Sequence, residues 1–118
     1  MKLLQIKFDN SDVEKYFNDF SLMQKTIGRD LTKTIKRRYD ALKSANNFSI
    51  FLDTGLGKPH PLYENLKGMY GVSISANRRL IIQPISDNLS PEALKKCDTI
   101  IIKGVEDYHG TKNEWIIP

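Results

Sequence analysis

The stretch Gly71-Val72-Ser73-Ile74-Ser75-Ala76-Asn77-Arg78-Arg79-Leu80-Ile81-Ile82-Gln83-Pro84-Ile85 decides the fold. Val72, Ile74 and Ala76 alternate with Gly71, Ser73 and Ser75, the period-two pattern of a half-buried strand. Asn77-Arg78 then reads as a two-residue hairpin turn. Leu80 to Ile85 returns as the next strand, and Pro84 in it points to an edge position or a bulge. Thr99 to Val105, continuous in Ile100, Ile101 and Ile102, reads as the last strand and a central one. At the other end of the chain, Leu3 to Phe8 is a short apolar run that supplies a first strand.

Between the first strand and the hairpin the period changes to that of helices. Ser11 and Glu14 fit a capping box, and Val13, Tyr16, Phe17, Phe20 and Met23 recur at helical spacing as a core stripe. Gly28 is the expected stop. A second helix runs from about Asp30, buries Leu31, Ile35, Tyr39 and Leu42, and ends at Asn46-Asn47. Phe48 to Leu52 reads as a short helical turn or as an extended stretch packed on the sheet. Gly55, Gly57, Pro59 and Pro61 mark an irregular loop, and Ser90-Pro91-Glu92 reads as the N-cap, proline and first-turn acid of a short helix. The order is β-α-α-β-β-β. It predicts an α+β fold with a small mixed or antiparallel sheet and two N-terminal helices packed on one face.

A chain of 118 residues is read as a single domain spanning residues 1–118, long enough to bury roughly two-thirds of its unfolded surface. No apolar run approaches the roughly 18 residues of a membrane span, and the N-terminus lacks a signal pattern, so no membrane association is expected. Cys97 is the one cysteine, which rules out an intrachain disulfide and fits a reducing compartment. The net charge of +4 and a pI near 9.2 permit a polyanionic partner without specifying one. No His/Cys/carboxylate cluster has metal-ligand spacing, so no metal and no cofactor are expected.

The groups that carry chemistry lie in the C-terminal half, at His60-Pro61-Leu62, Leu66-Lys67-Gly68-Met69-Tyr70, Asn77-Arg78-Arg79-Leu80 and Glu106-Asp107-Tyr108-His109. Arg79 opens a strand directly after a turn, where its planar fork can meet two phosphate oxygens. Arg78 beside it should point to the opposite face. Lys67 is a loop lysine that converges on Arg79 only if the two strands pair. His60, between two prolines, is held extended by Pro61, which serves catalysis or simply a rigid turn. His109 precedes Gly110 at a sheet end, and an imidazole titrates near neutral pH, as a general acid or base must. Asp107 orients that imidazole, contacts a partner or caps the turn. Tyr108 is a packed aromatic or a base-stacking one. Lys33, Lys36, Arg37, Arg38 and Lys43 on the second helix form a solvated charged face or engage RNA or an acidic partner. Trp115, Ile116 and Ile117 either pack back on the sheet edge or dock against a partner.

This ordered set resembles the HigB branch of the RelE/ParE toxin superfamily, over roughly residues 54 to 110. There a His-Pro-Leu segment leads into a Lys-Gly-x-Tyr strand, then an Asn-x-Arg turn, and the chain closes on Asp-Tyr-His. The resemblance implies the toxin of a type II toxin–antitoxin pair in the bacterial cytoplasm, a metal-free endoribonuclease that cuts messenger RNA on the ribosome. It implies Arg79, His109, Lys67, Asp107, Tyr108 and His60 as the catalytic set, and Arg78, Tyr63, Lys36 and Arg37 as RNA contacts. The implied partners are a helix-turn-helix antitoxin, in a hetero-oligomer with the toxin, and the ribosome with its message. Some members carry a lysine three residues after the histidine, where this chain has Tyr63. Lys67 then supplies that charge from nearby, or the enzyme is weak or inactive. Two other readings stay open, a ParE-like gyrase poison and a catalytically silent member that only binds an antitoxin and represses its operon.

Overall fold

A computed structural model describes residues 2–109 and 112–118, with the side chain of His109 outside the description. Among these residues, six strands, five α-helices and one 3₁₀ turn follow in the order β1 (Gln5–Phe8), α1 (Ser11–Asn18), α2 (Phe20–Ile27), α3 (Arg29–Ser44), α4 (Phe48–Asp53), β2 (His60–Pro61), the 3₁₀ turn (Glu64–Leu66), β3 (Tyr70–Ser73), β4 (Arg78–Pro84), α5 (Pro91–Lys95), β5 (Thr99–His109) and β6 (Lys112–Ile117). The expected α+β architecture is present, with more helices than the sequence pattern suggested.

The first long helix is two. α1 ends at Asn18, and the Asp19 carboxylate starts α2 by accepting the Leu22 N–H at 3.1 Å. The N-cap of α1 is Asn10, whose side chain accepts from Val13 N at 3.0 Å, so the capping box expected of Ser11 and Glu14 does not form. Gly28 stops α2 as expected, with φ 94° and its N–H on the Gln24 carbonyl. α3 starts at the next residue. The ambiguous segment after it is helical, because Asn47 caps α4 by accepting from Ile50 N at 3.0 Å. The short helix read at Ser90-Pro91 is α5, with the Ser90 hydroxyl accepting from Ala93 N.

The sheet runs β1-β5-β4-β3-β2, with β1 parallel to β5 and the other pairs antiparallel. β5 is central but not last. β6 turns back to pair with Val105–His109, while β1 pairs with the earlier half of the same strand, from Thr99 to Ile102. The C-terminal tail therefore packs on the sheet, and Ile117 is fully buried in the core. The hairpin turn is longer than two residues, because β3 stops at Ser73 and both Ile74 N and Ser75 N bond the Arg78 carbonyl. Pro84 sits in an interior strand beyond the last β3 pair, Tyr70 with Ile82. Ile85 N–H points to β5, so the missing Pro84 N–H falls on the side where β3 has already ended.

One face of the sheet carries the core. Val72, Leu80, Ile82, Ile100, Ile102 and Val105 pack there against Val13, Phe17, Met23, Ile35, Leu42, Phe48 and Phe51 of the helices. The expected aromatic stripe belongs to this layer, with Phe17 against Phe8, Phe20 and Tyr39 at centroid distances of 5.5, 6.2 and 5.2 Å. The opposite face is covered only locally, by Leu62, Leu66 and Met69 over Ile81. A cleft opens beside that cover.

Candidate functional site

The cleft exists because β5 changes parity. Ile100, Ile102 and Val105 all face the helical core, which strict alternation forbids. The register with β4 supplies the reason: Ile82 pairs with Ile102 and Ile81 with Gly104, leaving Lys103 as the extra residue of a β-bulge. Gly104 takes φ 143°, and a Cβ there would strike the Ile117 carbonyl and the Trp115 ring. After this bulge Glu106 and Tyr108 emerge on the open face, level with Arg79.

Arg79 and Glu106 are cross-strand partners. Arg79 Nε and Nη2 both donate to Glu106 Oε1, at 2.9 and 2.7 Å. The pair is secluded, with side chains 15% and 4% exposed. The Tyr108 ring lies against the guanidinium at 4.4 Å from its centroid. Gly71 makes room for the arginine stem, since a Cβ there would sit 3.1 Å from Arg79 Cδ.

Arg79 lines a cleft of about 310 Å³ together with His60, Tyr63, Glu64, Leu62 and Asn113 of β6. His60 Nδ1 lies 3.1 Å from the Lys58 carbonyl, which can only accept. The contact requires a proton on Nδ1, so in the neutral ring it is Nε2 that has the free lone pair. His60 and Tyr63 are exposed, Tyr63 at 75%. Glu64 holds φ 57°, a strained value for a residue with a side chain. The cleft thus combines a fixed guanidinium backed by the Tyr108 ring, an imidazole, the Tyr63 phenol and the carboxamides of Asn65 and Asn113. Such a set can bind a phosphodiester, stack on bases and move a proton.

The other candidates are placed elsewhere. Lys67 follows the 3₁₀ turn with an exposed side chain and does not line the cleft. Arg78 and Asp107 face the helical side, where they pair at 3.3 Å and line a groove with Thr26, Ile27 and Leu31. Asp107 is therefore not on the face of Arg79 and Tyr108. Lys36 and Arg37 are exposed on α3, across the sheet from the cleft, with Lys36 Nζ 5.8 Å from the Phe20 ring centroid. The backbone of His109 closes β5, and its side chain lies outside the described residues. Glu106 and Asn113 were missed by the sequence reading. The signal for Glu106 was an acid following Gly104-Val105 inside an apolar strand, because a strand glycine marks a bulge.

Among the described residues, no group of three or more His, Cys, Asp or Glu side chains stands close enough to hold a metal ion. No described helix is long and apolar enough to cross a membrane. Cys97 is buried, donates to the Thr99 carbonyl at 3.2 Å, and has its thiol pKa pushed up by burial.

No protein-family model matches the chain, and neither does any curated protein. Solved structures do. A chain of the YoeB–YefM complex from Staphylococcus aureus superposes with a TM-score of 0.53 at 23% identity, covering 91% of this chain and 98% of that one. A heterotetrameric YoeB–YefM toxin–antitoxin complex from the same organism gives 0.48 at 22%, covering 91% and 98%. The YoeB/ParE toxin from Agrobacterium tumefaciens gives 0.44 at 17%, covering 92% and 100%. The chain shares its α+β fold with the matched chain of the first YoeB–YefM complex.

Proposed function

We propose that this chain is the toxin of a type II toxin–antitoxin pair and cleaves messenger RNA on the ribosome in the bacterial cytoplasm. The observation that carries this reading is the Arg79 guanidinium, locked between Glu106 and the Tyr108 ring at the base of a cleft that also holds the His60 imidazole. The YoeB fold supports it.

In this mechanism His60 Nε2 takes the proton of a 2′-hydroxyl, and the 2′-oxygen forms a bond to the adjacent phosphorus. The phosphorus–5′-oxygen bond breaks, and His109 protonates the departing 5′-oxygen. The products are a 2′,3′-cyclic phosphate and a 5′-hydroxyl. A guanidinium has five N–H donors. Those not turned toward Glu106 meet the phosphate oxygens as negative charge develops, an effect worth about 3 kcal/mol per contact. General acid–base assistance adds ~100- to 10,000-fold. Tyr63 and Tyr108 stack on bases. Arg78, Asp107, Lys36 and Arg37, on the helical side, dock the protein on the ribosome, and Lys67 contributes charge at the rim.

The partner in this reading is a small helix-turn-helix antitoxin that occludes the cleft; the YoeB–YefM complex supports only that a chain of this fold has a partner protein. Complementary charge speeds such an association, so its rate falls with salt.

The test adds purified protein to ribosomes engaged on a message and maps the ends of the fragments. Cuts within the translated region, ending in cyclic phosphate and dependent on the ribosome, are expected. Intact messages with gyrase-linked DNA breaks would move the assignment to a ParE-like poison. The Glu106 carboxylate also favours one other reading, a silent antitoxin-binding member, because it offsets the charge that the transition state requires. No cleavage from either the wild type or Glu106→Gln, with antitoxin binding intact, would establish that reading.

A further inference from the structure

A second cavity lies at the sheet edge, two residues before His60. It measures about 420 Å³ and is walled by the loop Gly55–Lys58, by Arg38 of α3 and by Ser73 and Ser75. Four features of it point to one kind of ligand. Arg38 and Lys58 bring two cations to it, and among the described residues neither makes an ion pair. Arg38 spends only its Nε, on the Ser73 carbonyl at 3.4 Å, which leaves both terminal nitrogens to donate. Ser75, one of the lining residues, has its hydroxyl buried without a hydrogen-bond partner among the described residues. The loop is held against the sheet by Ser73 N on the Gly57 carbonyl at 2.8 Å, and Gly57, at φ 70°, leaves no space for a Cβ beside Val72 and Ser73. Lys58 itself holds φ 47°, so its position is fixed against a backbone cost.

We propose that this cavity is a phosphate subsite that holds a backbone phosphate of single-stranded RNA next to the one in the cleft. The inference rests on the nuclease reading of the His60–Arg79 cleft. Cations without counterions beside an unsatisfied hydroxyl fit a phosphate, whose oxygens accept from guanidinium, ammonium and hydroxyl at once. The two sites are joined through Lys58, which lines the cavity and whose carbonyl lies 3.1 Å from His60 Nδ1. The Cα atoms of Lys58 and His60, two residues apart, lie within roughly 7 Å of one another, a distance comparable with the step between neighbouring phosphates of an extended strand. An anchored neighbour would fix the scissile phosphate in register with His60 and Arg79.

The test uses a fluorescent 2′-O-methyl oligonucleotide, which cannot be cleaved, and reads its affinity by anisotropy across a salt series. Each phosphate contact on a single strand contributes about −0.7 to the slope of log K against log salt. Lys58→Gln is expected to weaken binding ~5- to 10-fold and to flatten the slope by that one contact. Ser75→Ala should weaken binding with no change of slope. Lys95→Gln, exposed at the end of α5, serves as the control and should leave both unchanged. Unaltered affinity and slope in Lys58→Gln would overturn the subsite. So would amide shifts at Gly57 and Lys58 with inorganic phosphate but none with the oligonucleotide, which would leave a free-anion site. Wild-type protein that binds the oligonucleotide with a Lys58-dependent slope yet never cuts a message would uphold the subsite and fail the nuclease reading alone.

Discussion

Arg79 reaches across from β4 to give two hydrogen bonds to one oxygen of Glu106 on β5, at 2.9 and 2.7 Å, inside a site almost closed to water. Removing one partner of a buried pair strands the other charge and costs about 3–5 kcal/mol. Glu106→Ala should therefore lower unfolding free energy by that amount in urea titrations, and Glu106→Gln by less. Replacing both groups, as Arg79→Met with Glu106→Leu, should recover most of the loss. A Glu106→Ala protein as stable as wild type would mean the pair contributes nothing.

Catalysis should depend on the arginine fork and not merely on its charge. Arg79→Lys retains a cation but loses the planar donor set. Its cleavage rate should fall ~100- to 1,000-fold, the scale of one lost transition-state contact, while circular dichroism stays unchanged. His60→Gln should fall by a comparable ~100- to 10,000-fold. Lys67→Ala, exposed and outside the cleft, should stay within a few-fold of wild type. Near-equal losses from Lys67→Ala and His60→Gln would return Lys67 to the reacting centre.

Cys97 ties stability to alkaline pH. Burial raises its thiol pKa above the ordinary value of 9.0. A group with a raised folded pKa holds its proton more tightly in the native state. Its contribution is complete below the unfolded pKa and drains away as pH rises through the folded one. Thermal stability should therefore decline above about pH 9, and Cys97→Ala should decline less steeply. Native protein should also resist thiol reagents at pH 8 and react on unfolding. Rapid labelling of the native state would contradict the burial.

The bulge at Lys103-Gly104 should be intolerant of a side chain. Gly104→Ala meets both a positive φ and the Ile117 carbonyl, so β6 must shift. Loss of hydrogen-exchange protection in Lys112–Ile117, with β1 unaffected, is the expected signature. Ile117→Ala, which empties a fully buried site, should cost about 2–5 kcal/mol. Wild-type protection in Gly104→Ala would show that the strand accommodates a methyl group there.

The sequence by itself determined the class of fold and most of its elements. Period-two and period-3.6 patterns at Val72–Ala76, Ile100–Ile102 and Val13–Met23 are local consequences of burying one face. Caps and stops such as Gly28 and Ser90-Pro91 are local too. The resemblance carried by His60, Arg79 and Tyr108 pointed to the strands that build the cleft. What the tertiary structure alone decided was which side each residue faces and how far each strand runs. Simple alternation along β5 sets Glu106 and Tyr108 toward the core and Asp107 toward the open face. The bulge at Lys103 reverses that assignment, because one extra residue shifts every later side chain to the other side of the sheet. The sixth strand and the Asn113 it brings to the cleft depend on pairing with β5. Such pairing is a long-range event, and no window of the sequence contains it.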